Sequence, residues 1–141
     1  MIKELEFRDI PALMPYIRLQ RKIFGITEME AAHLDMNHYR ALISHWLESN
    51  CSFVSVNNNK IDGMALGAIY PNVWVPNRKE LFLIGIVADN RITAGKLFKT
   101  WQERAMLLPV NRILVDKIKG TNFDYEKLGY KLLRQTYELE K

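Results

Sequence analysis

The chain has 141 residues, of which 48% are hydrophobic, and it carries a formal net charge of +4. This length and composition predict one domain over residues 1–141 and exclude a disordered chain. No apolar run approaches the roughly 18 residues that cross a membrane, so no membrane association is expected. The single cysteine excludes an intrachain disulfide, which favours a cytoplasmic protein in a reducing environment.

The amino-terminal part of the chain predicts one strand and two helices. Apolar and charged residues alternate from Ile2 to Phe7, which is typical of a short strand. Asp9 is expected to cap a helix that holds Pro11 in its first turn and ends at Gly25. A second helix follows, with an apolar stripe at Tyr39, Leu42, Ile43 and Trp46.

The middle of the chain changes to a strand pattern. Cys51 to Val56 and Ile61 to Tyr70 predict two strands, joined by a turn over residues 57–59, where three asparagines tolerate positive φ. Gly63 and Gly67 within the second strand indicate a bulge or a close approach of another backbone.

The remaining elements complete an alternating order. Glu80 to Val87 is almost wholly apolar, as expected for a central strand covered on both faces, and a helix then ends near Pro109. Arg112 to Ile118 predicts a strand, Asn122 to Leu128 a short helix and Leu132 to Leu139 a last strand. The order β-α-α-β-β-β-α-β-α-β indicates an α/β or α+β fold with a mixed central sheet flanked by helices.

The chain resembles the acyl-CoA N-acyltransferase (GNAT) superfamily in the order of its segments, namely FVSVNNNKIDGMALGAIY, ELFLIGIVADNR, RILVDKIKG and YEKLGYK. The most specific part runs from Tyr125 to Tyr130 and is similar to the Y-x-x-x-G-[FY] ending of the last helix in that family. Asp62 and Gly63 resemble the family's hairpin. The resemblance implies a single GNAT-type domain that moves an acetyl or other acyl group from acyl-CoA to an amine acceptor, and a homodimer is common in such proteins.

The resemblance also implies which residues bind the cofactor. In the family the central strand, here Leu81 to Val87, offers backbone groups to the pantetheine arm. The turn and helix start that follow, here Ala88 to Lys96, hold the pyrophosphate, because free N–H groups and the helix dipole favour an anion. An ordinary capped turn is the alternative for this segment. The candidate cofactor-binding residues are Ile84, Ile86, Val87, Arg91, Thr93, Ala94, Gly95 and Lys96.

The predicted phosphate loop departs from the family's pattern. Counted from Arg91, the two positions that usually hold glycine or alanine hold Ala94 and Lys96, and Gly95 falls between them. Glycines let a backbone come close to a phosphate. Two alternatives therefore stay open: an altered loop that still binds acyl-CoA, or a GNAT-fold binding or assembly module without catalysis.

Two residues are candidates for catalysis. The resemblance implies that Tyr125 lies near the thioester sulfur and protonates the leaving thiolate, whereas packing at a helix end is the alternative role for this tyrosine. Glu80, at the start of the central strand, is a candidate base for the amine, although charged residues at strand starts are commonly only solvated. The backbone from Ile84 to Ile86 is expected to polarise the thioester carbonyl.

Other patterns carry less weight. His33, His38 and His45 lie in one region, but they lack a recognisable metal-ligand spacing with Cys51, so no metal is expected. They are expected to edge the helix face, and the alternative that the resemblance implies is a place near the acceptor pocket, where they would affect substrate choice. The mild basic excess permits a nucleic-acid-binding protein as a distant alternative, but no DNA- or RNA-reading motif is present.

Overall fold

The amino-terminal segment forms a sheet edge and then a helix. The computed structural model describes residues 1–20, 36–116, 124–133, 137 and 139. Strand β1 spans Ile2–Glu4, a 3-10 turn spans Phe7–Asp9, and helix α1 spans Ile10–Leu19, with Pro11 in its first turn as predicted. Asp9 is the N-cap residue of α1, as predicted, but its side chain makes no capping hydrogen bond to the helix. Its carboxylate accepts the N–H of Glu6 at 2.9 Å and closes the 3-10 turn instead.

Helix α2 spans Met36–Glu48 and packs through most of the predicted apolar stripe. Ile43 and Trp46 are buried, and Tyr39 is half-buried against the same cluster. Leu42 is 39% exposed and lies off the buried face, so its assignment to the stripe is wrong. Gly25, the predicted end of the first helix, lies outside the described residues.

Three antiparallel strands follow, β2 at Phe53–Asn57, β3 at Lys60–Pro71 and β4 at Lys79–Ala88. The turn between β2 and β3 contains Asn58 and Asn59 with φ of 50° and 60°, which confirms the predicted asparagine turn. The predicted strands over these residues are therefore confirmed.

Both glycines of β3 lie where other parts of the chain come close, as predicted. A Cβ on Gly67 would lie 2.4 Å from the carbonyl oxygen of Cys51, and one on Gly63 would lie 2.7 Å from Cδ1 of Leu97. Neither position leaves room for a side chain, and the register of β2 against β3 also shifts next to Gly63.

The carboxy-terminal part adds one helix and one strand. Helix α3 spans Arg91–Ala105, strand β5 spans Arg112–Val115, and a 3-10 turn spans Glu126–Leu128. Gly129 follows that turn with φ of 91°, as predicted for a residue that closes a helix.

The predicted last strand, Leu132 to Leu139, is not formed by the residues of that range that the structure describes. None of its described residues is in a strand, and Leu132, Leu133, Tyr137 and Leu139 have exposed fractions of 59% or more. The alternation of the sequence indicated one buried face, but these side chains lie in solvent rather than against the sheet.

The five strands form one mixed sheet in the order β1-β2-β3-β4-β5. Neighbours from β1 to β4 are antiparallel, and β5 runs parallel to β4. A parallel pair needs a crossover connection, which helix α3 provides. Of the helices in the described ranges, none is long and apolar enough to cross a membrane.

Helices cover both faces of the sheet. On one face α1 and α2 bury a cluster that contains Leu66 and Val87, and on the other α3 buries a cluster that contains Leu81, Leu83 and Trp101. The structure thus confirms the predicted fold class, a mixed sheet flanked by helices.

Candidate active site

Strand β5 pairs with only the first part of β4 in the described chain. Their pairing ends at Leu83 and Val115, and from Gly85 onward the described partner of β4 is β3 alone. The register against β3 passes from Leu83 directly to Gly85, so Ile84 is an extra, bulged residue, and it is 45% exposed. The side of β4 that faces away from β3 beyond Leu83 thus has no strand partner among the described residues, and we call this side the β4–β5 gap.

The gap leads to the amino terminus of α3. Asn90 caps this helix, since its Oδ1 accepts the N–H of Thr93 at 2.8 Å and its carbonyl accepts the N–H of Ala94 at 3.1 Å. The N–H groups of Arg91 and Ile92 occupy the first two helical positions, which have no acceptor within the helix. With the helix dipole, this end of α3 can receive an anion.

The turn before α3 is shorter than the sequence indicated. The helix begins at Arg91, so Ala94, Gly95 and Lys96 lie in its first two turns rather than in a loop. A Cβ on Gly95 would meet nothing within 4 Å, which shows that the glycine is not required by neighbouring protein atoms.

An acidic residue precedes the helix start. Oδ1 of Asp89 lies 3.1 Å from the hydroxyl of Tyr16, which lies equally far from the carbonyl oxygen of Asp62. Burial raises the pKa of the Tyr16 hydroxyl, and the charge of Asp89 raises it further, so the phenol holds its proton and donates it. Tyr16 therefore ties α1 to the turn that joins β4 and α3.

Tyr125 packs against α3 on the same side of the sheet. Its ring centroid lies 5.6 Å from that of Phe98 and 5.8 Å from that of Tyr130. It belongs to the same apolar cluster as Ile86 and Val115, which flank the β4–β5 gap. Burial raises the pKa of the Tyr125 phenol, with a further contribution from the charge of Asp116.

Glu80 lies at the other end of β4. Its side chain is buried, accepts hydrogen bonds from Asn72 at 2.6 Å and from Arg112, and lies 3.7 Å from the Arg78 guanidinium. Burial alone would raise the pKa of this carboxyl. The two hydrogen-bond donors and the charges of Arg112 and Arg78 outweigh that effect and hold the pKa below its usual value.

The structure thus divides the predicted site residues. Ile84, Ile86, Arg91 and Thr93 follow one path from the β4–β5 gap to the start of α3, whereas Glu80 lies before the gap. Val87 turns its side chain into the α1–α2 core and can offer only backbone groups to a ligand.

Two features of this region were not predicted from the sequence. Asp116 follows the last residue of β5 and is exposed beside the gap. His45, Tyr70 and Phe82 form a ring cluster, with centroids 5.3 Å apart for the first two and 5.7 Å apart for the last two. Only the pairing of β4 with β5 and the packing of α2 bring these side chains to one place, so periodicity along the chain carries no signal for them.

Several solved structures share the fold over nearly the whole chain. The transcriptional regulator from Bacillus halodurans C-125 matches with a TM-score of 0.68 and 18% identity, covering 99% of this chain and 98% of that one. An aminoglycoside acetyltransferase from an uncultured soil metagenomic sample matches at 0.70 with 14% identity, covering 99% and 97%. The predicted acetyltransferase from Clostridium acetobutylicum with acetyl-CoA matches at 0.66 with 19% identity, covering 99% and 95%.

The comparisons by sequence find nothing. No protein-family model matches the chain, and no curated protein matches it either. The similarity is one of three-dimensional structure, and the fold is that of the GNAT acetyltransferases. The resemblance in the sequence therefore predicted the fold correctly.

Proposed function

We propose that the chain is an N-acyltransferase that moves an acetyl group from acetyl-CoA to an amine, acting as one domain over residues 1–141 in the cytoplasm. The observation that carries this proposal is the β4–β5 gap and its continuity with the start of α3. A gap beside unpaired strand groups suits an extended arm that carries amides, and a helix amino terminus suits a diphosphate. Both features belong to the GNAT acetyltransferase fold.

The chain's residues bind and orient the two substrates and move two protons. The acyl donor lies along β4 after Ile84, with its diphosphate at the N–H groups of Arg91 and Ile92. The amine nitrogen bonds to the thioester carbon, the carbon–sulfur bond breaks, and the thiolate takes the phenolic proton of Tyr125. A base accepts the proton that the amine loses.

Tyr125 suits the role of acid. Because burial raises its pKa, the phenol stays protonated at neutral pH and can donate to a thiolate of similar basicity. Its position against Phe98 and beside the cluster residues Ile86 and Val115 supports its placement near the sulfur.

Glu80 as the base remains a prediction, and its environment favours a structural role. A general base must be accessible to the amine, and a raised pKa increases its affinity for the proton. The Glu80 carboxylate is instead buried, is paired with Arg112, and has a lowered pKa. Its contacts link the β3–β4 hairpin to β5.

A GNAT-fold module without catalysis is the second candidate function. Asp89 lies directly before the helix start, where its charge opposes a diphosphate, and the turn lacks the glycines that bring a backbone close to phosphate. These two features favour the module.

Binding of coenzyme A separates the two candidates. Thermal unfolding is measured with coenzyme A and, as a control for general polyanion binding, with ATP at equal concentration. A coenzyme A concentration 100 times its dissociation constant should add about 2.7 kcal/mol of stability. No shift at millimolar coenzyme A, or an equal shift with ATP, contradicts the transferase proposal.

A further inference from the structure

The two faces of the sheet present different chemistry where β4 and β5 separate. Leu83 and Val115, the last paired residues, pack on the α3 cluster, which also contains Tyr125. Side chains alternate along a strand, so Phe82 and its partner Leu114 face the α2 side. In the proposed transferase the donor's sulfur lies near Tyr125 on the α3 face, and the α2 face is the side from which the amine can approach.

That other face is aromatic. Phe82 is in edge contact with Tyr70, and Tyr70 is in tilted contact with His45 of α2. The tyrosine and the phenylalanine are half-buried and the histidine is exposed, so the ring cluster lies at the border between core and solvent. Rings arranged in this way accept another flat ring, or a cation over a ring face.

An exposed carboxylate follows the end of β5. Asp116 comes two residues after Leu114, about 7 Å further along the strand direction. It is exposed, and among the described residues it has no hydrogen bond or ion pair. Its charge reaches the phenol of Tyr125, so it lies near the point where the two faces meet.

The buried carboxylate of this face is already paired. Glu80 has the same side-chain direction as Phe82, but its carboxylate is neutralised by Arg112 and Arg78. Among the described residues without an ion pair, Glu48 ends α2, whereas Asp116 directly follows the last paired residue of β5 and is the carboxylate that we assign to a cationic ligand.

We propose that this face receives the acceptor, and that the acceptor is a primary amine carried on a flat aromatic group. The ring stacks on the cluster of His45, Tyr70 and Phe82, and the ammonium binds Asp116. The ammonium first gives one proton to solvent, the free amine attacks the thioester carbon, and Asp116 takes the second proton that the nitrogen then loses. This inference rests on the proposed transferase function, and it favours one aromatic amine over a polycationic sugar.

Matched ligands test the two contacts separately. With coenzyme A bound, the affinities of 2-phenylethylamine, 2-cyclohexylethylamine and 2-phenylethanol are measured by calorimetry, and acetylation of the two amines by acetyl-CoA is followed by mass spectrometry. We expect phenylethylamine to bind about 10-fold more tightly than the non-planar amine, and about 10-fold more tightly than the uncharged alcohol.

Variants then assign each preference to its residue. Phe82→Leu should remove the preference for the planar ring, and Asp116→Asn should remove the preference for the amine over the alcohol. Glu103→Gln, an exposed change of equal charge on α3, should remove neither. Two outcomes would overturn the inference in a protein that still binds coenzyme A. One is tighter binding of an aminoglycoside such as kanamycin than of phenylethylamine, and the other is survival of both ligand preferences in the two variants. Loss of coenzyme A binding itself would mark failure of the transferase proposal.

Discussion

The phenol of Tyr125 combines a raised pKa with a position on the α3 cluster. Tyr125→Phe keeps the ring contacts with Phe98 and Tyr130 and removes only the proton donor. We expect turnover to fall about 100-fold, within the usual range for a general acid, while affinity for coenzyme A changes little. Single-turnover acetylation and calorimetric titration measure the two quantities.

Tyr137→Phe is the control for that experiment, because Tyr137 is 86% exposed. Tyr137→Phe should leave turnover and affinity for coenzyme A near their wild-type values. Normal turnover in Tyr125→Phe would remove this tyrosine from the chemistry and would support the alternative that it only packs at a helix end.

Glu80 should matter for stability rather than for turnover. Its pKa is lowered in the folded state, so the carboxylate stabilises the fold above its ordinary pKa of 4.5, and this contribution is lost as the pH falls through the folded value. Glu80→Gln should cost about 1–3 kcal/mol at pH 7, because the Arg112 guanidinium loses its charged partner. The difference between wild type and variant should shrink below pH 4.5.

Glu103→Gln is the matched control, since it breaks only an exposed pair with Lys99 at 4.0 Å and should change stability by less than about 0.5 kcal/mol. Thermal and urea unfolding across pH measure all three proteins. Unchanged stability together with abolished turnover in Glu80→Gln would restore this residue as the base.

At the scale of elements, the start of α3 is the part on which the proposed function depends. Asn90→Asp keeps the side-chain acceptor for the N–H of Thr93, so the stability of the helix should be preserved. The added negative charge should weaken binding of coenzyme A about 10-fold at low salt, and less at high salt, if a diphosphate binds there.

Asn111→Asp supplies the same charge change elsewhere. Asn111 also accepts a backbone N–H through its side chain, that of Lys79, at the opposite end of β4. Asn111→Asp should therefore leave coenzyme A binding unchanged. Equal effects of the two substitutions, measured by calorimetry at two salt concentrations, would place the diphosphate away from α3.

Some features of the helices and strands could be predicted from the sequence, and others could not. The apolar run of β4 and the asparagine turn at Asn58 and Asn59 are local signals, and both were predicted. The bulge at Ile84 arises from how β4 pairs with β3 on one side and loses β5 on the other, which no local pattern encodes. The exposure of Leu42, and of the described residues where a last strand was predicted, likewise depends on which partners are within reach.

For the candidate site, the sequence led to the path from Ile86 to Arg91 and to Tyr125, because these residues follow the order of a known family. Asp116 and the ring cluster were not predicted. Neither belongs to a sequence motif, and only the folded sheet places them at the end of the β4–β5 pairing. Glu80 was selected for its place at a strand start, but its partners Arg112 and Asn72 are 32 and 8 residues away.

For the whole molecule, the separated strands predict where a ligand will slow exchange of backbone amides. Coenzyme A should protect the segment from Ile84 to Ile92, because it contains the part of β4 that faces the β4–β5 gap and the free N–H groups that begin α3. The β2–β3 hairpin, whose N–H groups are already paired, should change little. Hydrogen–deuterium exchange with mass spectrometry measures both, and protection spread evenly over the sheet would contradict a local binding site.

The buried cysteine has a practical consequence for any study of turnover. Cys51 is the chain's single cysteine and is fully buried, and its thiol lies 3.5 Å from the carbonyl oxygen of Trp101. Burial raises its pKa to about 12, so almost none of it is ionised near pH 8. With the native protein, Ellman's reagent will therefore give colour only from the thiol of coenzyme A released by the reaction. Labelling of Cys51 by the reagent will report unfolding.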